Sequence, residues 1–211
     1  MPEHQFKWRV FWGLFCVFIF VVPAGTLLHE SAHYLTGRLV GYEGYISYRS
    51  TIYTFLPDDG NSLMEKRILV MMAGPLQTML TGLLGLVLLL KNRHSFQQIQ
   101  KLNTGQWTMI FLSLFWLRQV MNICFWLYSL IRRGEYPVNS DEVSIALYLD
   151  SPGWLILFLT GIMGVLIVVY VYLKFIPAGQ KKIFLIAGLT GCTAGYLIWF
   201  EWLGKILLPV R

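Results

Sequence analysis

The run Leu27-Leu28-His29-Glu30-Ser31-Ala32-His33-Tyr34-Leu35 holds two of the chain's 4 histidines, with a glutamate directly after the first. On a helix, residues four apart share a face, so both imidazoles can hold one zinc ion. Glu30 then lies where it can take a proton from a water activated by that ion. The surrounding chain is apolar, and ionisable groups at membrane depth are costly. The bland alternative is a pair of histidines hydrogen-bonded inside a helical bundle. Half of the chain's histidines falling in one such motif favours ligation.

A catalytic zinc usually takes three protein ligands and a water. His4 lies near the terminus and His94 in a basic loop, so the third ligand is expected to be a carboxylate. Asp58, Asp59, Asp141, Glu142, Asp150 and Glu201 are the candidates. Asp58 and Asp59 fall in a turn signal, where Asp serves local hydrogen bonds. Glu201 stands among Trp199, Phe200 and Trp202 near a helix end, and Asp150 precedes Pro152. Asp141 opens a short helix, capped by Ser140 or Asn139, after a linker containing Pro137 that can fold back toward the site. It leads the field, with the others left open.

The elements that must position these groups are membrane-grade. Of the 211 residues, 56% are hydrophobic and only 13% charged, against about 25% charged in soluble domains. Five apolar stretches run from about Val10 to Val40, Ile68 to Leu90, Trp107 to Ile131, Gly153 to Ile176 and Ile183 to Leu208. Each reaches the roughly 20 residues that cross a bilayer. The expected fold is an all-α polytopic membrane protein: one domain over 1–211, its core at about 8–154 and additional transmembrane helices at about 153–208. Pro23 should kink the long first stretch. Between the first two stretches, Gly41 to Phe55 alternates aromatic or β-branched residues with polar ones before the turn Pro57-Asp58-Asp59-Gly60. That predicts a small β-hairpin, able to bind an extended peptide by strand addition, or else a re-entrant loop or an interfacial loop whose tyrosines anchor at the headgroups.

The net charge of +6 does not point to nucleic acid, because the cations cluster at span ends where lipid headgroups lie. They divide evenly between the two sides, so orientation stays open. Cys16, Cys124 and Cys192 lie within spans without ligand spacing and read as small buried hydrophobes. Lys7 and Arg9 before an apolar run imitate a secretory signal. Cleavage after Pro23-Ala24-Gly25 would strip the zinc motif of its supporting helix, so the segment is expected to be retained. Gly82, Gly85, Gly188, Gly191 and Gly195 are expected to admit close helix packing. Arg118 should face a cavity or a carboxylate, chiefly as a structural pair.

Three motifs together resemble the site-2 protease family of intramembrane zinc metalloproteases, especially its compact bacterial branch. They are His29-Glu30-Ser31-Ala32-His33 with Leu35-Thr36-Gly37; Ala73-Gly74-Pro75-Leu76 at the head of the second span; and Asn122, Pro137, Ser140-Asp141 with Ser151-Pro152-Gly153-Trp154. The likeness covers about Leu27 to Trp154, and the last two spans match only as generic hydrophobic helices. Gln77 and Thr78 stand where members often have Asn, Glu142 where many have Gly, and Pro137 lies farther than usual from Asn122.

The resemblance implies a zinc metalloendopeptidase. His29, His33 and Asp141 would hold the ion, with Glu142 and Asp150 as fallback ligands, and Glu30 would act as general base. Asn122 would orient the scissile peptide or stabilise its oxyanion, unless it only hydrogen-bonds between helices. It further implies transmembrane protein substrates, a multi-pass place in a bacterial plasma membrane, and room for a regulatory membrane partner. Rival readings are a prenyl-protein-type membrane zinc endopeptidase, a non-catalytic relative of the same fold, and a metal transporter. A transporter would spread its ionisable residues over several helices.

Overall fold

Hydrocarbon offers no partner to a backbone N–H or C=O, so a chain this apolar must close its own hydrogen bonds, and it does so as helices. The computed structural model describes residues 8–55, 62–97, 101–134 and 140–208. Its order is α1 (Trp8–Leu39), β1 (Glu43–Ile46), β2 (Thr51–Phe55), α2 (Ser62–Lys91), a 3-10 turn (Arg93–Phe96) and α3 (Thr104–Ser113). A second 3-10 turn (Leu114–Trp116), α4 (Leu117–Arg133), α5 (Asp141–Tyr148), α6 (Trp154–Phe175), α7 (Ala178–Leu197), a π-helical turn (Ile198–Leu203) and α8 (Gly204–Leu207) follow.

Five helical segments are long and apolar enough to cross a membrane: Trp8–Leu39, Leu63–Lys91, Thr104–Arg133, Trp154–Phe175 and Ala178–Leu207. They answer to the five apolar stretches. Their outward faces carry Phe20, Leu80, Leu159, Leu166 and Leu189, each 62–72% exposed. Such faces are compatible with a multi-pass protein whose solvent is lipid. The 32 residues of α1 make a rod of about 48 Å, longer than the hydrocarbon core. Pro23 lies inside it, and α1 continues as one helix on either side. The third span is two helices, α3 and α4, joined by the 3-10 turn.

The two ends of the bundle are built differently. Phe11, Leu14 and Phe18 of α1, Leu89 of α2, Ile110 of α3, Val171 of α6 and Phe184 of α7 form an apolar core. The opposite halves of α1 and α2 are polar on their facing sides. His29 meets Thr78 and His33 meets Val70, so the two helices run antiparallel. Glycines set the spacing. A Cβ on Gly82 would strike the Trp116 ring, one on Gly85 the backbone of Ser113, and one on Gly191 or Gly195 the backbone of α1. This is the close packing expected of them.

The expected hairpin is present. β1 and β2 pair antiparallel, with Tyr45 opposite Ile52 and Ile46 opposite Thr51, and an irregularity between Glu43 and Gly44. Its loop is tied to the far end of the chain: Trp199 Nε1 donates to the Tyr48 carbonyl at 2.7 Å, a buried contact across 151 residues. α5 starts at the Ser140 cap, whose hydroxyl accepts from Val143 N, and packs through Val143 against Ile123, Trp126 and Leu157.

Two expectations need correction. Cys16 and Cys124 are exposed and Cys192 is half-buried, because they lie on helix sides turned away from the bundle interior or at its margin. Gly74-Pro75 is not at the head of its span: α2 starts at Ser62, and the pair sits in its middle. The turn Pro57–Gly60 (with Asp58 and Asp59), the residues Pro137 and Asn139, and His4 lie outside the described residues.

Candidate metal centre

Thr26, His29, Glu30, His33 and Gly37 recur every three or four residues and are all buried, so one stripe of α1 faces inward. Leu28, Leu35 and Leu39, off that stripe, are exposed. The stripe meets α2 at Gly74. A Cβ there would fall onto Nε2 of both His33 and His29, so only glycine lets the helix backbone pass this close. Gly74→Ala should therefore force the imidazoles apart or displace α2. We expect metal affinity to fall about 10–100-fold, the scale of outer-shell disruptions at metal sites, read by competition against a chromogenic chelator. Affinity equal to the parent's would mean that the helices yield without cost.

The outer hydrogen bonds set each imidazole's tautomer. His33 Nδ1 lies 2.7 Å from the Val70 carbonyl, which can only accept, so Nδ1 carries the proton. Thr78 Oγ1 donates to the Gly74 carbonyl at 3.0 Å and is left to accept from His29 Nδ1, also at 3.0 Å. Both Nε2 lone pairs then point to the same place. That pattern, with the far nitrogen anchored, is how proteins orient metal-binding histidines.

Asp141 completes the group from the first turn of α5. Its Oδ2 is 3.1 Å from His29 Nε2 and 3.3 Å from His33 Nε2, and the two nitrogens are 3.1 Å apart. Three acceptors this close repel unless a proton or a cation lies among them. A tetrahedral ion bound at 2.0–2.1 Å spaces its ligands by about 3.3 Å, and an octahedral one by slightly less. The residues present fit a first-row divalent ion. Among the described residues, His29, His33 and Asp141 are the one His, Cys or carboxylate group that could hold a metal.

The neighbouring carboxylates differ in kind. Burial pushes the Asp141 carboxyl up, but the contacts with His29 and His33 outweigh it and hold Asp141 below the usual carboxylate range. Burial also pushes Glu142 up, and there it prevails. Glu142 is 1% exposed; its Oε1 accepts from Asn122 Nδ2 at 3.0 Å and its Oε2 has no partner. Asp150 is exposed in the turn after α5, at φ 50°, and Glu201 pairs with Lys205 on the surface. None of these three joins the metal group.

Glu30 is buried but not a member of the triad of ligand atoms. Its Oε2 accepts from Thr51 N at 2.8 Å, and Thr51 Oγ1 donates to the Glu30 carbonyl at 2.8 Å. The first residue of β2 thus clamps the carboxylate and leaves Oε1 without a hydrogen bond among the described residues. Arg118 Nη2 stands 3.9 Å from that oxygen. Tyr53, also on β2, donates to the His33 carbonyl at 2.7 Å. Glu30, His33, Asp141, Thr51, Arg118 and Asn122 all line one cavity of about 330 Å³.

The structure therefore brings together His29, His33, Asp141, Glu30 and Asn122, with Arg118 facing both cavity and carboxylate. Thr51, Thr78 and the Val70 carbonyl escaped the reading of the sequence. Only the spacing Gly74-x-x-x-Thr78, one helical turn, hinted that Thr78 faces the same way as the glycine. Protein-family models, curated proteins and solved structures were all compared with the chain, and none matches.

Proposed function

We propose that this chain is an intramembrane zinc metalloendopeptidase of the site-2 protease type. It would hydrolyse peptide bonds of transmembrane or membrane-associated proteins from within a bacterial plasma membrane. One observation carries the reading: the Nε2 atoms of His29 and His33 and Oδ2 of Asp141 converge, and the next residue on that face, Glu30, turns a free carboxylate oxygen into the same cavity. Two imidazoles and a carboxylate also serve iron oxygenases. A carboxylate poised beside the ligands is what hydrolysis needs and oxygenation does not, and it favours zinc.

A zinc ion held there would supply Lewis acidity, polarising a substrate carbonyl and bringing the pKa of a ligated water toward neutrality. The chain's own residues do the rest. Thr78 and the Val70 carbonyl keep the imidazoles aimed. Thr51 fixes Glu30 by its far oxygen, so Oε1 is the atom that accepts the water's proton and returns it to the leaving amine. The cavity is too small for a helix, so a substrate segment enters unwound. Its strand-like backbone then lies beside β2.

Metal removal tests this directly. Purified protein in detergent is expected to carry one zinc per chain and to cut members of a panel of synthetic single-span peptides. Treatment with 1,10-phenanthroline should stop cleavage, and added zinc should restore it. Protein that holds iron instead, or cleavage indifferent to the chelator, would sink the proposal.

A further inference from the structure

Arg118 sits in the first turn of α4 and lines the cavity beside Glu30. A guanidinium has five N–H donors. Among the described residues none of Arg118's makes a hydrogen bond; Nε is buried without a partner, and the single charged contact, to Glu30 Oε1, is 3.9 Å long. A structural Arg–carboxylate pair closes to about 2.8 Å, often through two parallel bonds. Glu30 does not need that service, since Thr51 already holds it. Other donors of the cavity are partly committed: Asn122 Nδ2 gives one of its two N–H groups to Glu142, Thr51 N donates to Glu30 and the Tyr53 hydroxyl to the His33 carbonyl. Arg49, the second cation of the lining, lies on the hairpin loop, 5.8 Å over the Tyr48 ring. Arg118 is thus a permanently charged donor without a hydrogen bond, beside the base on the wall of a cavity with room for a few residues.

We infer that Arg118 is a catalytic residue that donates to the carbonyl oxygen of the scissile bond and holds the charge that develops there. The inference rests on the peptidase reading. In the step concerned, a water oxygen bonds to the carbonyl carbon, the C=O π pair moves onto oxygen, and Glu30 takes the water's proton. On collapse that pair returns, the C–N bond breaks, and Glu30 passes the proton to the amine nitrogen. Arg118 exchanges no proton; its N–H donors meet the oxygen most strongly when it is an anion, which is the condition for accelerating the reaction.

The experiment compares the zinc-loaded full chain with Arg118→Gln and Arg118→Lys. Two quantities are read: steady-state cleavage of a single-span peptide that the parent cuts, and the affinity of a phosphinic peptide of the same sequence, which mimics the tetrahedral state. Arg118→Gln should lower kcat about 10²–10³-fold, the usual cost of one oxyanion donor, with KM changed little and zinc still at one per chain. Phosphinic-peptide affinity should fall by about the same factor as kcat/KM, and Arg118→Lys should recover part of both. Cleavage by Arg118→Gln at the parent's rate would overturn the inference. So would a slowed variant that binds the phosphinic peptide as tightly as the parent, because Arg118 would then act only through Glu30 or the fold. If Arg118→Gln fails to fold or loses zinc, Arg118→Lys, which keeps the cation, decides on the same two measures. A parent that holds zinc and cuts no peptide overturns the peptidase reading and this inference together. An active parent with indifferent Arg118 variants overturns this inference alone.

Discussion

Glu30→Gln should leave one zinc bound per chain while lowering cleavage about 10²–10⁴-fold, the range that a positioned general base contributes. The substitution is close to isosteric. The glutamine carbonyl can still accept from Thr51 N, so the clamp between α1 and β2 survives. What is lost is the proton acceptor at the oxygen facing the cavity. Glu30 contributes no atom to the metal group, so affinity for the ion has no reason to collapse. Metal analysis beside a cleavage time course separates the two effects. Equal rates for parent and variant would mean that Glu30 is only a hairpin anchor and that the chemistry proposed for the cavity is wrong.

Asp141→Ala should abolish stable metal binding. Changes one shell farther out already cost 10–100-fold in affinity, and this one removes a ligand atom, so a loss of more than about a hundredfold is expected by equilibrium dialysis. Two companions make the result specific. Glu142→Gln should keep the metal, because a glutamine oxygen can still accept from Asn122 Nδ2. Asp150→Asn should also keep it: Asp150 is exposed beyond α5, and asparagine tolerates its positive φ. Metal retained by Asp141→Ala and lost by Glu142→Gln would move the third ligand one residue along. It would also favour the prenyl-protein-type reading over the site-2 protease one.

Local spacing explains how much of this was legible beforehand. His29, Glu30 and His33 could be placed on one helical face because 3.6 residues per turn is a property of the chain itself. The five spans followed from apolar length, and the hairpin from alternation between Gly41 and Phe55. Gly74 stood in the sequence only as part of a motif; that its missing Cβ is the space in which two imidazole nitrogens meet was not foreseen. The cysteines were misread because apolar character was equated with burial. In a membrane bundle the outer face is equally apolar, so composition does not tell inside from outside.

Thr51 and Trp199 carried no sequence signal, and Thr78 only its spacing from Gly74, because what they do is settled by distant partners. Thr78 anchors His29 across 49 residues, Thr51 holds Glu30 across 21, and Trp199 fixes the hairpin loop across 151. A hydroxyl or an indole N–H reads the same in sequence wherever it points. Helical periodicity within the motif suffices to put His29 and His33 on one face of an apolar helix with Glu30 a turn from His33, since backbone geometry alone enforces it. Six carboxylates were open as the third ligand, and Asp141 reaches His29 from 112 residues away. That choice, and the placing of Arg118 beside Glu30, needed the packing of α2, α4 and α5 around the motif, because long-range proximity is a property of the folded bundle.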